Sequence, residues 1–225
     1  MALEASRILH RLGCDVRIFN PALLPVRTEV PAGPAIPATY PSAKLRSLSA
    51  WSDGHIWVSP AGHGEKQTPI IKNQVDWLRQ KIEHMQPTQG RTLSVLNINN
   101  GPRNLDSIDF LSKRGRSMGM FPTRMSCSIG KALNAFDFGD RIANAKEIVR
   151  LLPSSDRDSL VDCMEEFVKF TIVMRPHIDM FGDQFSDRKE RHGIKDEEDV
   201  EKYKGNVEHL RNDSIHGTKD VVDII

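Results

Sequence analysis

Apolar residues recur at helical spacing in four stretches of the chain and in extended or alternating runs in four others. Ala5, Ile8, Leu9 and Leu12 mark a first helix, and Gly13 stands where a helix C-terminal glycine belongs. Cys14 to Phe19 then alternates apolar and charged positions, which predicts a half-exposed strand at a sheet edge. Residues 20–42 hold six of the thirteen prolines and predict a long irregular connection. His55 to Val58 predicts a second strand, ended by Ser59-Pro60. A helix follows, with Thr68 as N-cap, Pro69 in its first turn, and Ile71, Val75, Leu78 and Ile82 on one face. Thr92 to Ile98 is nearly all apolar or small, as in a strand buried on both faces. After Asn99-Asn100-Gly101-Pro102 comes a helix carrying Leu105, Ile108, Leu111 and Gly115. A further strand is expected near Thr123 to Ser128. Ser154 or Ser155 caps the strongest helix, which buries Leu160, Met164, Phe167, Thr171 and Met174.

Helices alternating with strands predict an α/β domain around a parallel sheet. In such sheets ligands bind beyond the carboxyl ends of the strands, where strand order switches. Ser59–Gly64 and Asn99–Asn104 occupy that kind of position. Ser59, Pro60, Ala61, Gly62, His63 and Gly64 offer small residues, a hydroxyl and one imidazole, which suits close approach of a flat ligand. Asn99, Asn100 and Gly101 can bond the carbonyl and imide edge of a planar ring, with Arg103 near a developing negative charge. Equally, both segments read as ordinary turns carrying a surface histidine and a solvated arginine.

Charge and composition narrow the function classes. The 225 residues carry 31 basic and 30 acidic side chains, a formal net charge of +1, which argues against a nucleic-acid binder held by bulk charge. No apolar run approaches membrane-spanning length and no signal peptide opens the chain, so no membrane partner is expected. Three scattered cysteines make neither a disulfide frame nor a zinc knuckle, and a soluble, reducing, cytoplasmic setting follows. No Ser/His/Asp or Cys/His set, metal-ligand spacing or Walker loop is present, so no catalytic or metal-binding residues are singled out. Cys163 reads as a small core residue, and Cys127, following a predicted strand, either faces the site or is buried without function, the second reading being favoured.

Ser59-Pro60…His63-Gly64 and Lys72-Asn73-Gln74-Val75-Asp76-Trp77 resemble the second flavin loop and helix of the NADPH-dependent FMN reductase family. Pro87-Thr88-Gln89-Gly90-Arg91-Thr92-Leu93, Asp162 to Thr171, Met174-Arg175-Pro176-His177 and Phe181 to Glu190 narrow the resemblance to the arsenical-resistance flavoproteins called ArsH, of the fungal type. It covers roughly residues 1–191.

The resemblance implies a flavodoxin-like, doubly wound parallel sheet of order 2-1-3-4-5, FMN as cofactor and NADPH as hydride donor. It implies a homotetramer and a small-molecule electron acceptor: a quinone, azo compound, oxygen, metal ion or trivalent organoarsenical. Ser59 to Gly64 would line the flavin, and Asn99, Asn100, Gly101 and Arg103 would hold its pyrimidine edge. Residues 1–174 would form the reductase domain, 175–191 an arm in an oligomer contact, and 192–225 a charged, mobile tail. The family opens with a strand and a Gly-Ser-x-Arg-x-x-Ser loop that cradles the phosphate. This sequence begins in the helix after that loop, so the first strand is expected to be missing, leaving a gap or a direct pairing of its neighbours, with low stability. Ala61 and Gly62 replace a charged pair, Pro102 removes an N–H donor, and FMN affinity is expected to fall. The competing reading is a flavin-free paralogue or fragment acting as an assembly partner.

Overall fold

A computed structural model describes residues 1–26, 41–60, 68–78, 87–137, 149–182 and 223–224. The chain opens with α1 (Ala2–Arg11), which buries Ala5, Ile8 and Leu9. Gly13, at φ +87°, follows its last turn and lets the Cys14 N–H turn back to Leu9 O at 3.0 Å. β1 (Asp15–Val16) lies at the edge of the main sheet, as its alternating pattern predicted, though it is shorter than Cys14–Phe19. The proline-rich connection holds a 3-10 turn at Pro21–Leu23. It is anchored by the Trp77 indole and the Asn73 amide, which both donate to Pro25 O.

α2 (Pro41–Trp51) has no counterpart in the sequence reading. Its buried positions are Ser42, Leu45 and Ser49, too polar a stripe to stand out; Pro41 in its first turn was the available signal. β2 (Gly54–Pro60), α3 (Pro69–Leu78), β3 (Thr92–Ile98) and α4 (Asp106–Arg116) follow as predicted in kind and order. Two details differ. The Thr68 hydroxyl is buried without a hydrogen-bond partner among the described residues, so it makes no capping bond there. Leu105 precedes the first turn of α4 and is 61% exposed, while Ile108, Leu111 and Gly115 are buried.

The single strand expected near Thr123–Ser128 is two: β4 (Phe121–Pro122) and β5 (Cys127–Ile129), both parallel to β3. Pro122 has no N–H to extend the ladder. The Thr123 N–H still donates to Leu93 O of β3 at 2.8 Å, and the chain leaves the ladder after it. The Met125 N–H donates to Glu166 at 2.7 Å, and the Thr123 hydroxyl reaches Met125 O. α5 (Ala132–Ala135) leads into a two-stranded antiparallel ribbon of β6 (Phe136–Asp137) and β7 (Arg150–Leu151). α6 (Ser155–Met174) is capped by the Ser154 hydroxyl, which accepts from the Arg157 N–H.

Helices cover both faces of the sheet, which is the doubly wound arrangement. Alternation along the strands assigns the two cores. Ile56, Val58 and Leu96 join α1 and α6 on one face; Trp57, Leu93 and Val95 join α2, α3 and α4 on the other. Where α6 meets the start of β2, Gly54 leaves no room for a side chain. A Cβ there would lie 2.4 Å from Thr92 Oγ1 and 2.8 Å from the Phe167 ring. Gly54→Ala is expected to lower stability by about 1–3 kcal/mol through overpacking, read as a lower urea midpoint at unchanged m-value.

The order of the main sheet is β1-β8-β2-β3-β4, with β5 also on β3. The slot between β1 and β2 is not closed by direct pairing, and one end of it holds a short strand that the sequence reading did not expect; beyond Gly54, among the described residues, β2 pairs with no strand on this side. β8 (Asp223–Ile224), from the end of the chain, enters it parallel to both neighbours. Two residues of the supposed mobile tail thus lie in mid-sheet, because unpaired N–H and C=O groups there attract any extended segment in reach. The described part of the arm, a 3-10 turn (Arg175–His177) and α7 (Ile178–Gly182), packs on its own domain. Phe181 meets Phe121 edge-to-face at 4.5 Å, and Gln89 donates to Phe181 O.

Candidate functional site

β2 and β3 run in register from Gly54 beside Thr92 to Pro60 beside Ile98, so their carboxyl ends emerge together. β5 adds Ile129 beside Ile98. Ser59, Pro60, Asn99, Asn100, Gly101 and Arg103 are therefore brought to one end of the sheet. Ala61, Gly62, His63 and Gly64 lie outside the described residues.

The loop after β3 is laced to the segment after β5 by main-chain bonds. The Asn99 N–H donates to Ile129 O, the Ala132 N–H to Asn99 O and the Lys131 N–H to Gly101 O, at 2.9–3.0 Å. Lys131 adopts a left-handed conformation to make this turn, at φ +49°. Below the loop, Asn97 is fully buried in β3, and its amide donates to Ser59 O and to the Ser107 hydroxyl, both at 3.2 Å. It ties the end of β2 to the first turn of α4. The Ser128 hydroxyl bridges the Asn104 N–H and O, pinning the far side of the loop. Neither Asn97 nor Ser128 was picked out from sequence. The available signal was a polar amide inside an otherwise apolar strand run, since a fully buried amide needs partners.

These bonds decide what remains for a ligand. The Asn99 main chain and Gly101 O are committed within the protein. The Asn99 amide nitrogen donates to Pro102 O, and its Oδ1 is buried with no partner among the described residues. Above Gly101 the space is open: a Cβ there would meet nothing within 4 Å. Arg103 is paired with Asp156 in the first turn of α6 rather than standing as a lone cation. Cys127, the first residue of β5, is 3% exposed, and burial pushes its thiol up to about 12, with Cys163 and Asp156 adding to the effect. It is a packed residue, not a thiolate nucleophile.

The ring portion and the phosphate portion of an FMN fare differently here. An acceptor oxygen without a partner and an open glycine backbone suit the edge of a flat, hydrogen-bonding ring. A phosphate finds no cradle at the start of α1. There the Glu4 and Ala5 N–H groups already donate to Met1 O, and the buried Glu4 carboxylate is paired with Arg7 and Arg150. Among the described residues, no group of three or more His, Cys, Asp or Glu can hold a metal, and no helix is long and apolar enough to cross a membrane.

No family model matches the chain. FerB, a flavoenzyme NAD(P)H:(acceptor) oxidoreductase from Paracoccus denitrificans, aligns with a TM-score of 0.46 and 14% identity over 74% of this chain and 91% of that one. An NADPH-dependent FMN reductase ArsH from Shigella flexneri is 37% identical over 195 residues, covering 86% of this chain and 71% of the relative. The reductases of the same name from Rhizobium meliloti (strain 1021) and Acidithiobacillus ferrooxidans are 38% and 34% identical, each over 84% of this chain and 73% and 74% of their own length. Identity above one third, sustained over more than two thirds of each relative, shows that the chain belongs to the ArsH family of NADPH-dependent FMN reductases.

Proposed function

We propose that the chain is an FMN-dependent NADPH oxidoreductase that passes electrons to a small-molecule acceptor: a quinone, an azo compound, oxygen, a metal ion or a trivalent organoarsenical. The observation that carries this reading is the 34–38% identity with three proteins named NADPH-dependent FMN reductase ArsH. The meeting of Ser59-Pro60 and Asn99–Arg103 at one end of a parallel sheet supports it, because ligands of such sheets bind there.

FMN, when bound, supplies the two-electron carrier between NADPH and acceptor. The chain's own residues bind and orient it. Asn99 Oδ1 would accept from an imide N–H, and the open backbone at Gly101 would take the flat ring. Asn97, fixed between Ser59 O and Ser107, sets the separation of the two loops. The Arg103–Asp156 pair holds the outer loop to α6. In this reading the assembly is a homotetramer and the setting is the cytoplasm. The exposed Ile172 and Val173 of α6 supply apolar surface for the first, and three free, buried cysteines suit the second.

The ring site without a phosphate cradle among the described residues sets the expected behaviour. Charge-assisted bonds to phosphate contribute about 1.5–3 kcal/mol each, so the purified chain is expected to lose FMN on gel filtration. NADPH oxidation with a quinone acceptor is expected once FMN is supplied in excess. Asn99→Ala is expected to raise the FMN concentration for half-maximal rate about tenfold, matching one hydrogen bond of about 1.4 kcal/mol. No FMN-dependent oxidation at any flavin concentration would favour the flavin-free assembly reading instead.

A further inference from the structure

Gly130 follows β5 directly, and the loop after β3 runs close over it. A Cβ built on this residue would lie 2.9 Å from Gly101 O, 3.0 Å from the Arg103 main-chain nitrogen and 3.3 Å from the Pro102 carbonyl carbon. All three are main-chain atoms, so no turning of a side chain relieves the overlap. Gly130 is not among the residues at positive φ, so the space above it, and not its own conformation, excludes a side chain.

The same stretch of loop fixes the direction of a side chain. Pro102 O accepts from Asn99 Nδ2 at 2.8 Å. A carbonyl oxygen can only accept, so the amide nitrogen faces it and Oδ1 faces the other way. That oxygen is buried with no partner among the described residues. The carbonyl that decides this orientation is the one lying over Gly130. Three main-chain bonds, from the Asn99 N–H to Ile129 O, the Lys131 N–H to Gly101 O and the Ala132 N–H to Asn99 O, hold the two segments at this separation. A side chain at position 130 pushes the Gly101–Arg103 backbone outward, draws Pro102 O from the amide and frees Asn99 to turn.

We propose that Gly130 is a positioning residue for the flavin ring. It seats the Gly101–Arg103 backbone so that Asn99 presents only its amide oxygen, which selects a ring carrying an imide N–H over one in which that nitrogen is substituted. The proposal rests on the flavin reading given above. A ring with the N–H satisfies the buried oxygen, whereas a methylated imide leaves it unpaired. Gly130 itself touches no ligand and acts through Asn99.

The test titrates the full chain with FMN and with N3-methyl-FMN, read by quenching of flavin fluorescence. The unaltered chain is expected to bind FMN about tenfold more tightly than the methylated flavin. Gly130→Ala is expected to weaken FMN about tenfold and the methylated flavin less than about twofold, so the preference disappears. Gly130→Ala combined with Asn99→Ala should weaken FMN by only about tenfold in total, where independent effects would multiply to about a hundredfold. A preference retained in Gly130→Ala, or multiplied losses in the double variant, overturns the proposal. An unaltered chain that binds both flavins equally also overturns it and leaves the oxidoreductase reading standing; one that binds neither overturns both. A second measurement does not depend on the variants folding. In the unaltered chain, hydrogen exchange at the Lys131 and Ala132 amides is expected to be at least about tenfold slower than in an unstructured peptide. Exchange at the unstructured rate shows that the two segments are not held together and overturns the proposal.

Discussion

Replacing Phe167 by alanine lowers the unfolding free energy by about 3–5 kcal/mol, the largest single loss expected in this protein. Phe167 is fully buried on α6, and its ring closes over Gly54 at the start of β2. One turn further on, the Thr171 hydroxyl donates to Phe167 O at 2.7 Å and meets the Thr92 hydroxyl at 2.6 Å. Since Thr171 spends its hydrogen on Phe167 O, Thr92 is the donor of the second bond. Truncation therefore opens a cavity where α6, β2 and β3 meet and where β8 pairs with Gly54. Urea unfolding followed by far-UV circular dichroism measures it. A loss below about 1 kcal/mol would show that the site collapses around the smaller residue.

Acid destabilises the protein through His55 well above the pH at which most carboxylates protonate. This residue of β2 is 2% exposed, with Nε2 3.0 Å from the Ser49 hydroxyl. The Ser49 hydroxyl donates to Pro87 O, so the imidazole is the donor in that contact and is neutral. Burial lowers its pKa to about 3, with the nearby Arg91 cation adding to the effect and Ser49 opposing it. The unfolded chain takes up this proton near pH 6.5 and the folded chain only near 3. Between those values the unfolded state binds more protons, so stability is complete above about pH 6.5 and falls as pH drops through the window. By about pH 4.5 the loss from this residue reaches about 3 kcal/mol. Comparison with His55→Gln isolates it: the variant should lose correspondingly less between the two pH values, and parallel curves would refute the assignment.

Much of the fold was legible because local patterns and tertiary demands agree. The β3 run is apolar or small because it is covered on both faces, and its bounds, Thr92–Ile98, match those predicted. α6 was equally plain, since Leu160, Met164, Phe167 and Thr171 form one buried stripe and Ser154 supplies its cap. α2 escaped because its buried stripe is largely serine, with Ser49 held by bonds to His55 and Pro87 that no local pattern reveals. The break between β4 and β5 escaped too, since it depends on Glu166, about 40 residues away, capturing the Met125 N–H.

For the candidate site, sequence by itself anticipated that Ser59-Pro60 and Asn99–Arg103 meet at one end of the sheet, because both segments follow strands that end at the same edge of a parallel sheet. It also determined family membership through identities spread along the chain. Which atoms remain for a ligand was decided only by the tertiary structure. Asn99 and Arg103 look alike as candidates in sequence, yet Asp156 claims the arginine while Asn99 Oδ1 stays buried without a partner among the described residues. The central strand is the clearest case. Read locally, Asp223–Ile224 follow a charged, apolar-poor segment and suggested a tail. In the fold they meet two open strand edges, and long-range main-chain pairing, to which local pattern is blind, draws them into the sheet.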